Sequence, residues 1–297
     1  LSAGGFARHV HHDHAGGRGI LGRRRLSRRC GGRRKVEVQR LAASAGLAPR
    51  VVHVDESRRA VVSAFVVDRS FAAFYFDPSR RAAALALLGG MLRRVHELPL
   101  APDAESRSAR AVLAEMWSAL EPGLPLPAFV GDAIRRLLDE EPPPYRGRRV
   151  LSHNDVNPTN LVYDGEHLLL FDWETAGPND AFYDLAAISV FLVMDDATCL
   201  ALLAAYGDAA AALPARFVYN RRLVGVLCGA AFLGMALRSG YAGATPEDTF
   251  DTALALGAFY RRLRSGELSL ATAPGQWSFG LALVKTGIEL TNTPRQR

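Results

Sequence analysis

Lysine is nearly absent from this chain of 297 residues: Lys35 and Lys285 are the only two among 36 basic side chains. Any role that requires a lysine therefore has two candidates. Cysteine is also scarce. Cys30, Cys199 and Cys228 lie far apart with no metal-type spacing, which excludes a disulfide scaffold and a zinc ribbon and makes a reducing, cytoplasmic setting the expectation. No unbroken run of about 18 apolar residues is present, so no membrane-spanning helix and no membrane partner are expected. The opening residues are rich in Gly, His and Arg and do not form the charged start and apolar stretch of a signal peptide. The chain begins at Leu1, as a fragment of a longer polypeptide would. What is present, 49% hydrophobic and 22% charged residues, fits a globular protein, and the length favours two lobes over one compact domain.

The charge is unevenly placed. Residues 1–35 hold ten of the 36 Lys+Arg and one of the 30 Asp+Glu, a net +9, which leaves −3 for the remainder and +6 overall. A mildly acidic body argues against a nucleic-acid channel and suits a small cationic ligand. The basic segment also holds His9, His11, His12 and His14 and eight of the 27 glycines, with neither strand alternation nor a helical stripe, so it reads as loop or disorder. Gly17-Arg-Gly19-Ile-Leu-Gly22 matches G-x-G-x-x-G, but without a strand before it the match is weak. A displaced reading frame over residues 6–35 would also account for this composition. A single uninterrupted frame with homologous flanking DNA would rule that out.

Beyond residue 35 the patterning is regular. Helical spacing starts near Val36 and ends at Gly46, a good C-cap. Val51–Val54 and Ala60–Val67 are β-rich and predict a hairpin. Helices are predicted at Ser79–Glu97, Ala104–Leu120 and Ala128–Glu140, each stopped by proline-bearing sequence. Short strands follow: Arg149–Ser152, then Leu161–Tyr163 and His167–Phe171 around an Asp164–Gly165 turn. The rest is helical, about Tyr183–Val193, Ala197–Tyr206, Arg216–Ser239 and Pro246–Ser265; Arg216–Ser239 is apolar almost all round and is expected to be buried.

The chemistry concentrates in Leu151–Ala187. His153-x-Asp155 is followed after four residues by Asn160, and Asp172 ends the next apolar strand. At this chain's own composition such a His-x-Asp-x4-Asn arises by chance about 0.01 times. Phosphoryl transfer needs an acceptor hydroxyl held in line with the γ-phosphate and Mg²⁺ to absorb charge. Asp155 on a loop is placed to accept the hydroxyl proton, and Asn160 and Asp172 supply the hard oxygen ligands that Mg²⁺ prefers. A hairpin between them would bring loop end and strand end together. The competing account is an Asn/Asp-rich turn closed by Pro158.

The stretch resembles the aminoglycoside phosphotransferase and choline kinase superfamily. The carriers are HNDxxxxN, FDWE and YDLA, and the form DWExAGxND-x-x-YDLA is most similar to bacterial choline-kinase-like members. Glu37–Pro49 and Arg93–Leu98 resemble the family's N-lobe helix and the helix before its C-lobe, so the likeness spans about residues 36–265. It implies an α+β, protein-kinase-like two-lobe fold: residues 1–35 atypical, 36–98 the remainder of a small β-containing N-lobe that reads as incomplete, and 99–297 a larger, mostly helical C-lobe with catalytic loop 153–160. It further implies ATP and Mg²⁺ as cofactors, Asp155 as base, His153 as a brace, and Asn160 and Asp172 as metal ligands. Glu37 would be the helix acid of the nucleotide site. Glu174, Trp173 and Asp184 would lie toward the substrate, with Asp184 tying the loop, and Trp173 and Tyr183 offering an aromatic wall or core packing. His96 reads as structural.

One part of the family pattern is missing. A lysine or arginine on the strand before the Glu37 helix should pair with that acid, yet Lys35 sits on the same helix, Lys285 lies near the other end, and no strand-like run surrounds an arginine in 1–35. Leu1–Gly5 resembles the start of the family's glycine turn. The resulting expectation is a kinase acting on a hydroxyl of a small, cationic metabolite such as choline or ethanolamine, with no nucleic-acid partner and no oligomeric state specified. Acids near the site, Asp155, Glu174 and Asp180, favour a cation. Alternatives are an aminoglycoside or thiamine kinase, and a degenerate binding protein that transfers nothing.

Overall fold

The computed structural model describes residues 23–25, 32–57, 60–101, 104, 108–120 and 125–292. The His9–His14 cluster and the Gly17–Gly22 match lie outside them. In chain order the elements are β1 (Arg23–Arg25), α1 (Gly32–Ser44), β2 (Val51–Asp55), β3 (Ala60–Ser63), α2 (Phe71–Phe76), α3 (Arg81–His96), α4 (Ala109–Leu120) and α5 (Ala128–Asp139). There follow β4 (Val150–Ser152), β5 (Leu161–Tyr163), β6 (Leu168–Leu170), a 3-10 turn at Trp173–Thr175, β7 (Gly177–Asn179), α6 (Phe182–Phe191), α7 (Asp196–Tyr206), α8 (Ala215–Arg238), α9 (Leu256–Arg264) and α10 (Ala273–Asn292). The chain divides into two compact units, one of Leu1–Glu105, Gly147–Ile188 and Asp195–Ala212, the other of Ser106–Arg146, Ser189–Met194 and Leu213–Arg297.

The first unit holds the strands. β3 is the centre of an antiparallel sheet ordered β1-β3-β2, with Val61 facing Arg24 on one side and Val54 on the other. The β2–β3 hairpin forms where its valines predict it, but β3 ends at Ser63 and the predicted strand residues up to Val67 lie outside the sheet. β1 is a correction: Arg23–Arg25, inside the segment expected to lack structure, pairs with β3 directly upstream of α1. α1 ends as expected at Gly46, whose φ of 70° is the left-handed conformation that favours glycine. The Gly46 N–H donates to Ala43 O at 3.1 Å and Leu47 N–H to Ala42 O at 2.8 Å, closing a Schellman motif. Leu47 O then accepts from Leu170 N–H at 2.8 Å, which ties the end of α1 to β6.

The second unit is helical. α8 lies against α10 along glycines, because a Cβ on Gly229 would meet Val284 Cγ2 at 2.5 Å and one on Gly280 would meet Leu233 Cγ at 2.7 Å. α8 is long and apolar enough to cross a membrane by length and composition alone, but most of that stretch is buried among α10, α4 and α5. The C-terminal end of α5 is closed by arginines: Arg110 donates to Leu138 O, Arg216 to Pro143 O, and Arg222 grips Glu140 at 2.7 and 3.0 Å.

Two further corrections concern helices. α10 has no counterpart in the sequence reading, which stopped at Ser265, because Gly275, Gly280 and Gly287 look like breakers when their packing partners are unseen. The helix expected over Pro246–Ser265 is α9 alone; Thr245–Thr252 is instead turns held by Asp248 and the threonines.

Candidate active site

β4 and β7 pair antiparallel, Val150 opposite Asn179, and so close the two ends of the intervening excursion. Within it β5 and β6 form the second hairpin, turned by Asp164, whose Oδ1 accepts the N–H groups of Glu166 and His167 at 2.9 and 2.7 Å. The hairpin delivers Asn160 and Asp172 to one place. Phe171, between β6 and Asp172, donates its N–H to Asn160 O at 2.8 Å and accepts from His153 Nε2 at 2.9 Å. Since a carbonyl only accepts, the Nε2–H tautomer of His153 is specified. The His153 ring is fully buried with its edge on Trp173, centroids 4.9 Å apart.

Asp155 is held at both carboxylate oxygens. Asn157 Nδ2 donates to Oδ1 at 3.1 Å and Asn160 Nδ2 to Oδ2 at 3.0 Å. The amide of Asn157 is itself oriented, because its Oδ1 accepts from Thr159 N and Oγ1 at 3.0 and 2.6 Å and leaves the NH₂ toward Asp155. Asn160 spends its NH₂ on Asp155, at O as well as Oδ2, leaving Oδ1 as the acceptor available to a cation. Burial pushes the Asp155 carboxyl above the usual carboxylate range; His153 and the Asn157 hydrogen bond oppose this and the charge of Asp172 adds to it.

The loop is fixed from below by Asp184 in the first turn of α6. Its Oδ2 accepts from His153 N at 2.7 Å and its Oδ1 from Asn154 N at 2.9 Å. Burial alone would raise the carboxyl of Asp184, but His96, His153 and these backbone donors together bring it below its ordinary value. Asn154 and Asp172 take left-handed backbone, with φ of 62° and 64°. That conformation costs a non-glycine residue about 1–2 kcal/mol, least for Asn and Asp, and such strain gathers at functional sites. Asn154 is anchored by donating to Thr175 O at 2.9 Å and accepting from Asn179 at 2.8 Å.

Comparison with known proteins places the chain in a family and a fold. The model of the phosphotransferase enzyme family, APH, matches residues 9–219. The chain belongs to that family. Three solved structures share its fold. A choline/ethanolamine kinase family protein from Mesorhizobium loti is 21% identical, with a TM-score of 0.60, covering 90% of this chain and 87% of its own. Choline kinase LicA from Streptococcus pneumoniae is 16% identical, with a TM-score of 0.53 and 84% and 85% covered. An aminoglycoside-3′-phosphotransferase of type VIII is 23% identical, with a TM-score of 0.52 and 73% and 92% covered. A search of the curated proteins finds no match. The fold is thus the kinase-like α+β fold that the resemblance implies.

Within this phosphotransferase the structure gathers His153, Asp155, Asn160, Asp172 and Asp184 around one loop. Glu174 is half-buried in the 3-10 turn, against which α1 packs, and Glu37 is exposed on α1. Four residues expected to face a ligand are buried instead. Trp173 is not a substrate wall: it is 2% exposed and its indole N–H is committed to Leu170 O at 2.9 Å, so it packs as core beneath His153. Tyr183 is buried likewise, and Asp180, at 5% exposure, offers no open charge to a cation. Asp184 has no exposed surface, so it supports the loop and cannot touch a substrate. Asn157 is the residue the sequence reading passed over as a turn former. Its position two after Asp155, with a threonine two further on, is the only local signal of its orienting role.

Proposed function

We propose that this chain is an ATP- and Mg²⁺-dependent phosphotransferase that moves the γ-phosphate to a hydroxyl of a small cationic metabolite, an amino alcohol such as choline or ethanolamine. The observation that carries this is Asp155: a partly buried carboxylate with both oxygens oriented by amides, one of them from Asn160, whose backbone pairs with Phe171 immediately before Asp172. In this reading Asp155 accepts the proton of the acceptor hydroxyl and orients it for in-line attack, a contribution worth about 10²–10⁴ in rate. Asn160 Oδ1 and the Asp172 carboxylate are the oxygens that would hold Mg²⁺, which when bound neutralises phosphate charge. Two protein oxygens fit Mg²⁺ because that ion takes its other positions from phosphate and water. His153 and Asp184 hold the loop; Glu174, next along from Trp173, is the acid nearest the metal ligands on the chain.

The strand cation would fall to β1, whose three residues are all arginine and which precedes the helix of Glu37 in the chain. An arginine there would keep the positive charge and add a forked donor for phosphate. An amino-alcohol acceptor is supported by the net −3 of residues 36–297 and by the names of the choline/ethanolamine kinase neighbours. Use of ATP, with Cys199 and Cys228 both buried and far apart in the sequence, suits the cytoplasm.

The test is ADP release from Mg·ATP against choline, ethanolamine, thiamine and an aminoglycoside. Acceptor-dependent ADP that falls about 10²–10⁴-fold in Asp155→Ala, with an unchanged melting temperature, is the expected result. An Asp155→Ala protein with full turnover would overturn the assignment. The second reading, a degenerate binder, draws on the absence of a lysine upstream of α1 apart from Lys35 on the helix itself. It would show ligand-dependent stabilisation with no ADP from any acceptor.

A further inference from the structure

Asp184 holds the catalytic loop, and something must in turn hold Asp184. A carboxylate with no exposed surface needs donors for every lone pair it keeps from water. Two come from the loop itself. The third is His96, the last residue of α3 and only 3% exposed, whose Nε2 lies 3.0 Å from Asp184 Oδ2. With Nε2–H donating to the carboxylate, the other ring nitrogen, Nδ1, is left for the Tyr206 hydroxyl, which meets it at 2.9 Å and can donate or accept. The result is a buried relay of hydrogen bonds: Tyr206 Oη to His96, His96 to Asp184, and Asp184 to the N–H groups of His153 and Asn154.

The fold is built to bring this relay together. Tyr206 is the last residue of α7, which stops at once because Gly207, at φ 105°, takes the left-handed C-cap, with Asp208 N–H donating to Leu203 O at 2.9 Å. α7 can reach α3 only because Gly89 lacks a side chain: a Cβ there would stand 2.7 Å from Ala205 Cβ and Tyr206 N. His96 lies two helical turns beyond Gly89, on the same face of α3. A mid-helix glycine and an abrupt helix stop, each costly alone, are both spent at the junction where Tyr206 meets His96.

We propose that His96 and Tyr206 are positioning residues for phosphoryl transfer, acting through Asp184 to set the backbone that presents Asp155. The proposal rests on the phosphotransferase reading above. Neither side chain touches the reacting atoms. Removing the His96 donor leaves Asp184 Oδ2 with the His153 N–H but without its second donor, so the buried carboxylate is held on the loop side only and the loop it anchors is free to shift. Misplacement of catalytic groups by about 1 Å costs up to about 100-fold in rate.

The experiment compares the wild type with His96→Leu, His96→Gln and Tyr206→Phe, using Mg·ATP with choline, ethanolamine, thiamine or an aminoglycoside, whichever the wild type turns over. Amide hydrogen exchange is followed at His153 and Asn154. His96→Leu should lower kcat by about 10- to 100-fold with KM for both substrates unchanged, and should speed exchange at the two amides. His96→Gln, which keeps a donor at the Nε2 position, should restore most of both. Tyr206→Phe preserves volume and should give a smaller loss in the same direction, which keeps the test open should His96→Leu fail to fold. Unchanged kcat per folded molecule with unchanged exchange would overturn the proposal, as would equal damage in Leu and Gln variants. A wild type that turns over no acceptor would count against the kinase reading alone, since the exchange of the two amides would still decide whether His96 and Tyr206 fix the loop.

Discussion

At the scale of single residues, the site works by fixing carboxylates with amide, backbone N–H and imidazole donors. Asp155 is oriented by two amides and Asp184 by two backbone N–H groups and an imidazole, so neither depends on a nearby lysine or arginine in the described contacts. A consequence is a pH signature. Because the Asp184 carboxyl lies below its ordinary value in the folded state, its contribution to stability is full above that value and is lost as pH falls through the lower, folded one. The melting temperature of Asp184→Asn should therefore lie well below wild type at neutral pH, and the gap should close on acidification below about pH 4. Melting curves between neutral and acid pH check this; a gap that stays constant would show that Asp184 stabilises the fold by shape alone. Glu37, Glu174, Asp155 and Asn160 are all legible in the sequence as polar residues at fixed offsets. What is not legible is which of them face inward. Trp173 and Asp184 were expected toward the substrate and are core, because the sign of a side chain's direction is set by the turn it sits on.

At the scale of elements, paired glycines on α3 separate local propensity from tertiary need. Gly89 and Gly90 both weaken a helix interior relative to alanine, by about 0.5–1 kcal/mol each. A Cβ at Gly90 meets nothing within 4 Å, whereas one at Gly89 collides with α7. Gly90→Ala should accordingly stabilise the protein by about 0.5–1 kcal/mol. Gly89→Ala should destabilise it by about 1–3 kcal/mol through overpacking and disturb the His96 contact. Denaturant melts of the two single variants decide the matter, and equal effects would refute the close approach. The same logic explains α10. Its glycines read as breakers in isolation, yet a Cβ on Gly280 would meet Leu233 and Gly229 of α8 and one on Gly287 would meet Arg222 and Val226, while one on Gly275 would collide with Ser269 ahead of the helix; the cost of glycine is offset by backbone-close packing.

At the scale of the whole molecule, charge and metal chemistry point the same way. Among the described residues no group of three or more His, Cys, Asp or Glu side chains is arranged to hold a metal ion. In the proposed reading Asn160 and Asp172 alone would bind Mg²⁺ weakly, and nucleotide phosphates would complete the coordination. Mg²⁺ should thus raise the melting temperature little by itself, ATP without metal little, and the two together clearly, by mass action on the folded state. Chelation should abolish acceptor-dependent ADP release while leaving the unliganded fold intact. A strong shift with Mg²⁺ alone, measured by thermal denaturation, would contradict a shared metal site.

The order of residues alone determined where the candidate site lies: His153, Asp155, Asn160 and Asp172 are spaced so that one loop and one hairpin bring them together, and hairpin geometry is a local property. It also determined most helices, whose apolar periodicity is written within each segment. Only the tertiary structure decided that Arg23–Arg25 pairs as a strand, that Trp173 faces the core, and that Tyr206 and His96 meet behind Asp184. Those outcomes depend on partners far apart in sequence, 110 residues in the case of His96 and Tyr206, and no local pattern encodes a contact whose two halves are brought together by the packing of separate helices.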